Sequence, residues 1–141
     1  MFKTLLLAVD INDAEGSIRS TQAAVRMAQH EDATLHILNV VPDQGMSIVS
    51  ASLAPDHNET VQKAAKEALA DWVQSNIPGD LAPKLHIVLG TVYDQIIKTA
   101  DALNADCIFV GAHSPSLKDY LIGPNAARVA RHASQSVFVL R

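Results

Sequence analysis

Short apolar runs alternate along the chain with longer stretches in which apolar residues recur every three or four positions. Continuous apolar runs are typical of strands buried on both faces, and the longer spacing is typical of amphipathic helices. The runs predict five strands: Thr4–Val9, Thr34–Val41, Leu85–Leu89, Cys107–Val110 and Ser136–Leu140. The spaced stretches predict four helices: Ser17–Gln29, Glu59–Gln74, Tyr93–Leu103 and Asn125–Ala133. Serine commonly caps helix N-termini, so Ser17 is expected to cap the first helix.

This alternation of strands and helices predicts a single α/β domain over residues 1–141. Its sheet should be open and parallel, with right-handed crossovers and helices on both faces. Residues 43–57 are expected to form a crossover connection. Ligands of such folds bind outside the carboxyl ends of the strands, where the strand order reverses. The residues expected at those ends are Asp10, Val40–Val41, Gly90–Thr91 and Gly111–Ser114.

The composition narrows the functional classes. The chain has 141 residues, of which 48% are apolar and 18% are charged, and its formal net charge is -4. Its lysines and arginines are scattered, which argues against nucleic acids and anionic membranes as partners. No apolar run approaches the roughly 20 residues that span a bilayer. The N-terminal segment MFKTLLLAVD lacks a signal-peptide pattern, so a cytoplasmic location is expected.

Asp10 directly follows the first predicted strand and has two interpretations. Its carboxylate can accept hydrogen bonds from a sugar hydroxyl, contact a base edge, or bind a metal through water. Alternatively, it accepts hydrogen bonds from the backbone N–H groups of the following turn, as aspartate commonly does in loops. Taken alone, Asp10 fits the second interpretation better.

The segment VGAHSPSLKDYLIGPN is longer than a strand-to-helix connection needs, and it has glycines near both ends. Gly111 allows a ligand to approach the backbone closely. Gly123 precedes a helix, whose first N–H groups and dipole favour an anion. Pro124 removes one of those N–H groups, whereas Asn125 supplies a side-chain amide. Ordinary turn chemistry also explains both glycines.

A catalytic interpretation of this segment would rest on His113 and Ser114, with Asp119 to orient them. Their spacing does not fix the geometry that a nucleophile and its base require. The GxSxG, Walker A and GxGxxG motifs are absent from the sequence. The other histidines lie singly, without metal-ligand spacing, so no metal site is predicted. Cys107 lies inside an apolar strand and is expected to be an inert core thiol.

Four segments together resemble the universal stress protein family over nearly the whole chain: LLLAVD, LHILNVV, ADCIFVGAHS and GPNAARVARHASQSVFVLR. The similarity is greatest to its small, single-domain, enterobacterial-type members. It implies a Rossmann-like fold of the adenine nucleotide alpha hydrolase type, with strand order 3-2-1-4-5. In that order Asp10 and Gly111 flank the crevice between the first and fourth strands.

The resemblance also implies a nucleotide site. The family motif is G-x2-G-x9-G-(S/T), and Gly111 and Gly123 match its first and last glycines. Ser114 replaces the middle glycine, eight residues replace the nine of the second spacer, and Pro124 replaces the Ser or Thr. Pro124 thereby removes a hydroxyl and an amide from the phosphate end. The implied nucleotide-binding residues are Ala8, Val9, Asp10, Val40, Gly111, His113, Ser114, Gly123, Pro124 and Asn125.

The function implied is a regulatory domain that binds ATP or AMP, with Mg²⁺ as a possible companion ion, and has no catalytic residues. The edge strand Ser136–Leu140 is expected to pair two copies into a homodimer, since an unpaired apolar edge invites aggregation. The downstream protein partner is not specified by the sequence. One alternative is a dimeric scaffold of the same fold without ligand. Another is a weak ATPase or phosphotransferase acting through Asp10, His113 or Ser114.

Overall fold

The computed structural model describes residues 1–42, 57–112 and 123–141. The predicted crossover lies outside these ranges except for its last residue. His113 and Ser114 also lie outside them.

The described residues form the strands and helices that the hydrophobic pattern predicts, with boundaries shifted by a few residues. The strands are β1 (Thr4–Ala8), β2 (Thr34–Pro42), β3 (Lys84–Gly90), β4 (Cys107–Gly111) and β5 (Ser136–Leu140). The α-helices are α1 (Ile18–Glu31), α2 (His57–Asn76), α3 (Val92–Leu103) and α4 (Pro124–His132). One-turn 3-10 segments occupy Ile11–Asp13, Glu15–Ser17 and Gly79–Leu81.

The strands form one five-stranded sheet in the order β3-β2-β1-β4-β5, and every neighbouring pair is parallel. This confirms the predicted fold class and strand order. β1 lies at the centre, where Leu6 pairs with His36 of β2 and with Ile108 of β4. The chain leaves β1 toward one side of the sheet and later returns to the other side at β4. The carboxyl ends of β1 and β4 therefore form the crevice at which such sheets bind ligands.

Side chains alternate between the two faces of the sheet, so each strand contributes to two separate cores. One core packs α1 and α2 against the sheet through residues that include Leu5, Leu7, Phe109, Ala28 and Leu69. The other packs α3 and α4 through residues that include Leu6, Leu38, Ile108, Ala100 and Val129. Helices on both faces are thereby confirmed.

Cys107 lies in the first of these cores and is fully buried. Burial raises the pKa of its thiol to about 11, because the thiolate would lose its hydration. The thiol therefore remains protonated near neutral pH and has little nucleophilic character.

His36 and His86 form a pair that the sequence does not reveal, and the prediction that the histidines lie singly is wrong for these two. They lie on the neighbouring strands β2 and β3, where the register sets His86 opposite Leu38 and brings the two rings together. Nδ1 of His36 lies 2.9 Å from Nε2 of His86, and the rings stack with centroids 5.1 Å apart. One nitrogen must donate and the other accept, so the pair can hold at most one added proton without losing the bond.

Both rings resist protonation. Desolvation by burial is the main cause that lowers the pKa of His36, followed by the nearby His86 and Lys84. Desolvation and then the Lys84 ammonium lower the pKa of His86. The folded chain therefore binds fewer protons at this pair than the unfolded chain does in mildly acidic solution.

We expect the free energy of unfolding to be largest above about pH 7 and to fall as the pH drops through the ordinary histidine value of 6.5. The sign follows because a pKa lowered by folding lets the unfolded chain take up more protons. Urea denaturation at pH values from 5 to 8 measures the slope of the free energy of unfolding against pH. The double variant His36→Leu/His86→Leu, which leaves no orphaned ring nitrogen, should flatten it. His132→Gln, an exposed histidine at the end of α4, controls for the loss of a histidine. An unchanged slope in the double variant would contradict the assignment of this pH dependence to the His36–His86 pair.

Candidate functional site

A cavity of about 260 Å³ opens at the carboxyl edge of the sheet. It lies at the ends of β1, β2 and β4 and is flanked by the N-termini of α3 and α4. Its volume is close to the lower end of the range for small-molecule sites, about 300–1,000 Å³. This is the crevice that the strand order predicts.

The cavity brings together predicted residues from four separate parts of the chain. Its lining includes Ala8, Val9, Asp10, Val40, Gly111, Gly123, Pro124 and Asn125. The remaining predicted residues, His113 and Ser114, lie outside the described ranges. Residues far apart in sequence thus converge on one place, as a binding site requires.

Other lining residues were not predicted from the sequence: Asn12, Asp13, Gly16, Ser17, Leu38, Pro42, Val92, Ile96, Val110 and Ala126. The polar ones belong to the segment after β1, whose Asn, Asp, Gly and Ser residues are typical of turns. That composition is a usable signal, because a turn after the central strand must border the crevice. The apolar residues carry no signal of their own, since they resemble the rest of the core.

The turn between β1 and α1 forms the acidic wall of the cavity. Asp10 is the N-cap of the first 3-10 segment, and its Oδ1 accepts the Asn12 N–H at 2.9 Å. The second interpretation of Asp10, in which its carboxylate accepts a hydrogen bond from the backbone of the following turn, is therefore correct. The side chain is also exposed and lines the cavity, and Oδ2 has no partner within the described residues. Asp10 can thus shape the turn with one oxygen and present the other to a ligand.

Ser17 stabilises the same turn in a way that differs from the prediction. It directly precedes α1, but its side chain makes no cap hydrogen bond. Instead, Oγ accepts the Asp10 N–H at 3.2 Å, and the Ser17 carbonyl accepts the hydroxyl of Thr21 at 2.6 Å. The hydroxyl is used to join the end of the turn to its beginning, which holds Asp10 in place at the edge of the cavity.

Gly111 ends β4 beside this turn, and the missing side chain leaves room for protein backbone. A Cβ at Gly111 would lie 2.7 Å from the carbonyl oxygen of Gly16. Real Cβ atoms do not approach an oxygen this closely, so only glycine allows the turn to pack against the strand end. Gly111 lines the cavity as well, but its side-chain position faces Gly16 and not the open space.

Val40 lies on the opposite side of the crevice, near the end of β2. The ladder between β1 and β2 ends at Ala8 opposite Leu38, and the Leu38 carbonyl accepts the Val9 N–H at 2.9 Å. Backbone groups alternate in direction along a strand, so those of Val40 point the same way as those of Leu38. Because β1 has already ended, the N–H and C=O of Val40 point past it into the crevice.

The N-terminus of α4 borders the remaining side. The Gly123 N–H is already used, since it donates to the Ala112 carbonyl at 3.0 Å. Pro124 occupies the first helical position and has no N–H, and the N-cap residue Gly123 has no side chain that could cap the helix. The N–H groups of Asn125 and Ala126 have no acceptor within the described residues. These two backbone amides, at the positive end of the helix dipole, can donate to an anion.

The described lining is acidic. It contains the carboxylates of Asp10 and Asp13 and no lysine, arginine or histidine. Arg128 of α4 is directed elsewhere, since its guanidinium lies 5.1 Å from the centre of the Tyr93 ring. The described part of the lining therefore offers an anion amide N–H groups and no positively charged side chain.

Two kinds of feature are absent from the described residues. No cluster of three or more His, Cys, Asp or Glu side chains is arranged there to hold a metal ion. None of the helices there combines the length and apolarity that crossing a membrane requires.

Comparison with known proteins gives a match over the full chain. The model of the Universal stress protein family matches residues 1–141. Universal stress protein G of Escherichia coli O157:H7 is 33% identical over 144 residues, and the alignment covers 100% of both chains.

Two solved structures of similar fold contain adenine nucleotides. A universal stress protein in complex with cAMP has a TM-score of 0.67 and 21% identity, covering 99% of this chain and 97% of that chain. The universal stress protein from Archaeoglobus fulgidus in complex with dAMP has a TM-score of 0.67 and 18% identity, covering 99% of this chain and 98% of that chain. At these identities the likeness shows a common fold.

Proposed function

Because the chain belongs to the universal stress protein family, we propose that it is a regulatory domain whose carboxyl-edge cavity binds an adenine nucleotide. The domain spans residues 1–141 and acts in the cytoplasm. Its ligand is AMP or ATP, the latter with Mg²⁺ as a possible companion ion, and the protein has no dedicated catalysis. The observation that carries the proposal is that Asp10, Val40 and the Gly123–Asn125 segment line a single cavity.

The end of β2 supports recognition of adenine. The base presents a donor and an acceptor side by side on its Watson–Crick edge. A backbone C=O and N–H from one residue match that pair, and Val40 directs both into the crevice, as its position beyond the last β1–β2 pair indicates. The apolar side chains of Leu38, Val92 and Ile96 supply contact surface for the faces of the ring.

The acidic turn supports recognition of ribose. Oδ2 of Asp10 can accept a hydrogen bond from a sugar hydroxyl while Oδ1 keeps the Asn12 N–H. A carboxylate in this role is familiar from other open α/β folds, where it binds the ribose of a dinucleotide. A phosphate on the ribose would then lie toward the Asn125 and Ala126 amides on the opposite side of the cavity.

The β5 edge supports the homodimer. β5 is the last strand of the sheet, its sequence SVFVL contains no charge or proline, and Phe138 is 39% exposed. Pairing with β5 of a second copy would satisfy the open backbone groups and cover this apolar edge. Sedimentation velocity should therefore show a dimer at micromolar concentration, and a monomer throughout would contradict this part of the proposal.

Calorimetric titration tests the proposal as a whole. At least one of the compounds adenosine, AMP, cAMP and ATP should bind saturably. GMP should bind more weakly, because its Watson–Crick edge has a different donor pattern. No heat and no thermal shift with any adenine compound at millimolar concentration would support the scaffold alternative. Hydrolysis of ATP that disappears in Asp10→Asn would support the enzyme alternative.

A further inference from the structure

Arg128 and Tyr93 form a pair beside the cavity. The Arg128 guanidinium lies over the Tyr93 ring, with its carbon atom 5.1 Å from the ring centre. Tyr93 follows Val92 at the start of α3, and Arg128 lies three residues after Asn125 in α4. Val92 and Asn125 both line the cavity. The pair therefore lies next to the binding site, although neither of its side chains belongs to the lining.

Helix geometry brings the guanidinium within reach of a phosphate at the start of α4. Residues three apart lie on the same side of a helix, so Arg128 projects from the side that carries Asn125. Three residues rise only about 4.5 Å along the axis, and helical side chains lean toward the N-terminus. A change of side-chain rotamer can therefore carry the guanidinium from Tyr93 to a phosphate that accepts from the Asn125 and Ala126 amides.

The contact with Tyr93 is of a kind that a phosphate can replace. Arg128 is exposed, whereas Tyr93 is half-buried and packs against the core beneath α3 and α4. A cation–π contact at an exposed site is weaker than the charge-assisted, bidentate hydrogen bonds that arginine makes to a phosphate. Tyr93 thus holds the guanidinium beside the cavity until a stronger partner is present.

We propose that Arg128 is a specificity-determining residue that leaves Tyr93 to bind the phosphate of an adenine nucleotide in the cavity. The inference rests on the proposed function, because it concerns the phosphate end of the same ligand. Adenosine has no phosphate and leaves the guanidinium on Tyr93. The arginine therefore distinguishes a nucleotide from its nucleoside, and the exposed surface of α3 and α4 changes only when the ligand carries a phosphate.

NMR of the ¹⁵N-labelled protein follows the movement directly. The Nε–H signal of Arg128, identified by its loss in Arg128→Gln, lies upfield while the guanidinium is over the aromatic ring. We expect AMP to shift this signal downfield in a saturable manner. Adenosine should bind without moving it.

Calorimetry measures how much the contact contributes to affinity. Arg128→Gln removes the charge, and we expect it to weaken AMP at least about tenfold while adenosine changes by less than about twofold. Arg128→Lys keeps the charge without the bidentate geometry and should retain part of the affinity for AMP. Tyr93→Leu removes the competing ring, so the preference for AMP over adenosine should rise about twofold to fivefold.

Arg131→Gln is the matched control, because Arg131 is an exposed arginine in the last turn of the same helix. It should change neither the affinity for AMP nor that for adenosine. If Arg128→Gln left the affinity for AMP unchanged, or weakened AMP and adenosine equally, the inference would be overturned and the proposed function would stand. Failure of adenosine, AMP and ATP to bind the unsubstituted protein would overturn both.

Discussion

Replacing Gly111 with alanine is expected to destabilise the fold by about 1–3 kcal/mol, the usual cost of forcing extra volume into a packed site. The new Cβ would lie 2.7 Å from the Gly16 carbonyl oxygen. Gly16 cannot easily move away, because its own N–H bonds to Asp13 and the neighbouring Ser17 N–H bonds to Ala14. Urea denaturation measures the loss. Nucleotide affinity should fall as well, since the displaced turn carries Asp10.

Gly79→Ala is the matched control for this substitution. Gly79 is exposed, and a Cβ there would meet nothing within 4 Å. Alanine should therefore be neutral or stabilise the protein by up to about 1 kcal/mol through the unfolded chain. If Gly111→Ala and Gly79→Ala changed the free energy of unfolding equally, the result would contradict the close packing between β4 and the turn.

Replacing Val92 with tryptophan is expected to abolish nucleotide binding while leaving the protein folded. Val92 is the first residue of α3, is half-buried, and lines the cavity beside Ile96. An indole ring there would occupy the space assigned to adenine. Excluding about 150 Å² of aromatic surface from the cavity costs about 4 kcal/mol, so AMP affinity should fall by at least about a hundredfold. Calorimetry measures this change.

Ala102→Trp controls for the introduction of tryptophan into the same helix. Ala102 is exposed in the last turn of α3, away from the cavity. The affinity of the Ala102→Trp variant for AMP should match that of the unsubstituted protein. Val92→Trp binding AMP normally, with a circular dichroism spectrum of a folded protein, would place the nucleotide somewhere other than this cavity.

The sequence predicted the fold well because its signals are local. Buried parallel strands need continuous apolar runs such as TLLLAV, and the helices between them need a regular spacing of apolar residues. The strand order came from the resemblance to a family, since no local pattern specifies which strands become neighbours.

The site was predicted in part, for a related physical reason. Asp10 and Gly111 stand out because an acidic residue and a glycine interrupt apolar runs at strand ends. The contact of Gly111 with Gly16 does not stand out, because it depends on how the turn folds back over β4. The pairing of His36 with His86 depends likewise on the register between β2 and β3. Such contacts between distant segments become visible only in three dimensions.

The glycine at the end of β4 shows how a motif and its physical role can differ. The resemblance implies that Gly111 contacts a nucleotide, and the residue does line the cavity. Its absent side chain, however, makes room for the Gly16 carbonyl. A loss of binding in a Gly111 variant would therefore report a displaced turn as much as a lost ligand contact. A substitution at Val92 separates a lost ligand contact from a displaced turn better, because Val92 borders the cavity without supporting the turn.

The most direct test of nucleotide binding at the carboxyl edge is an NMR titration of the ¹⁵N-labelled protein with AMP. We predict saturable shifts of the backbone amides of Asn125, Ala126 and Gly16, which border the cavity. Asp106 and Gln135 lie at the amino edge of the sheet and should not shift. Absence of saturable shifts around the cavity at millimolar AMP, or shifts confined to the amino edge, would contradict the account.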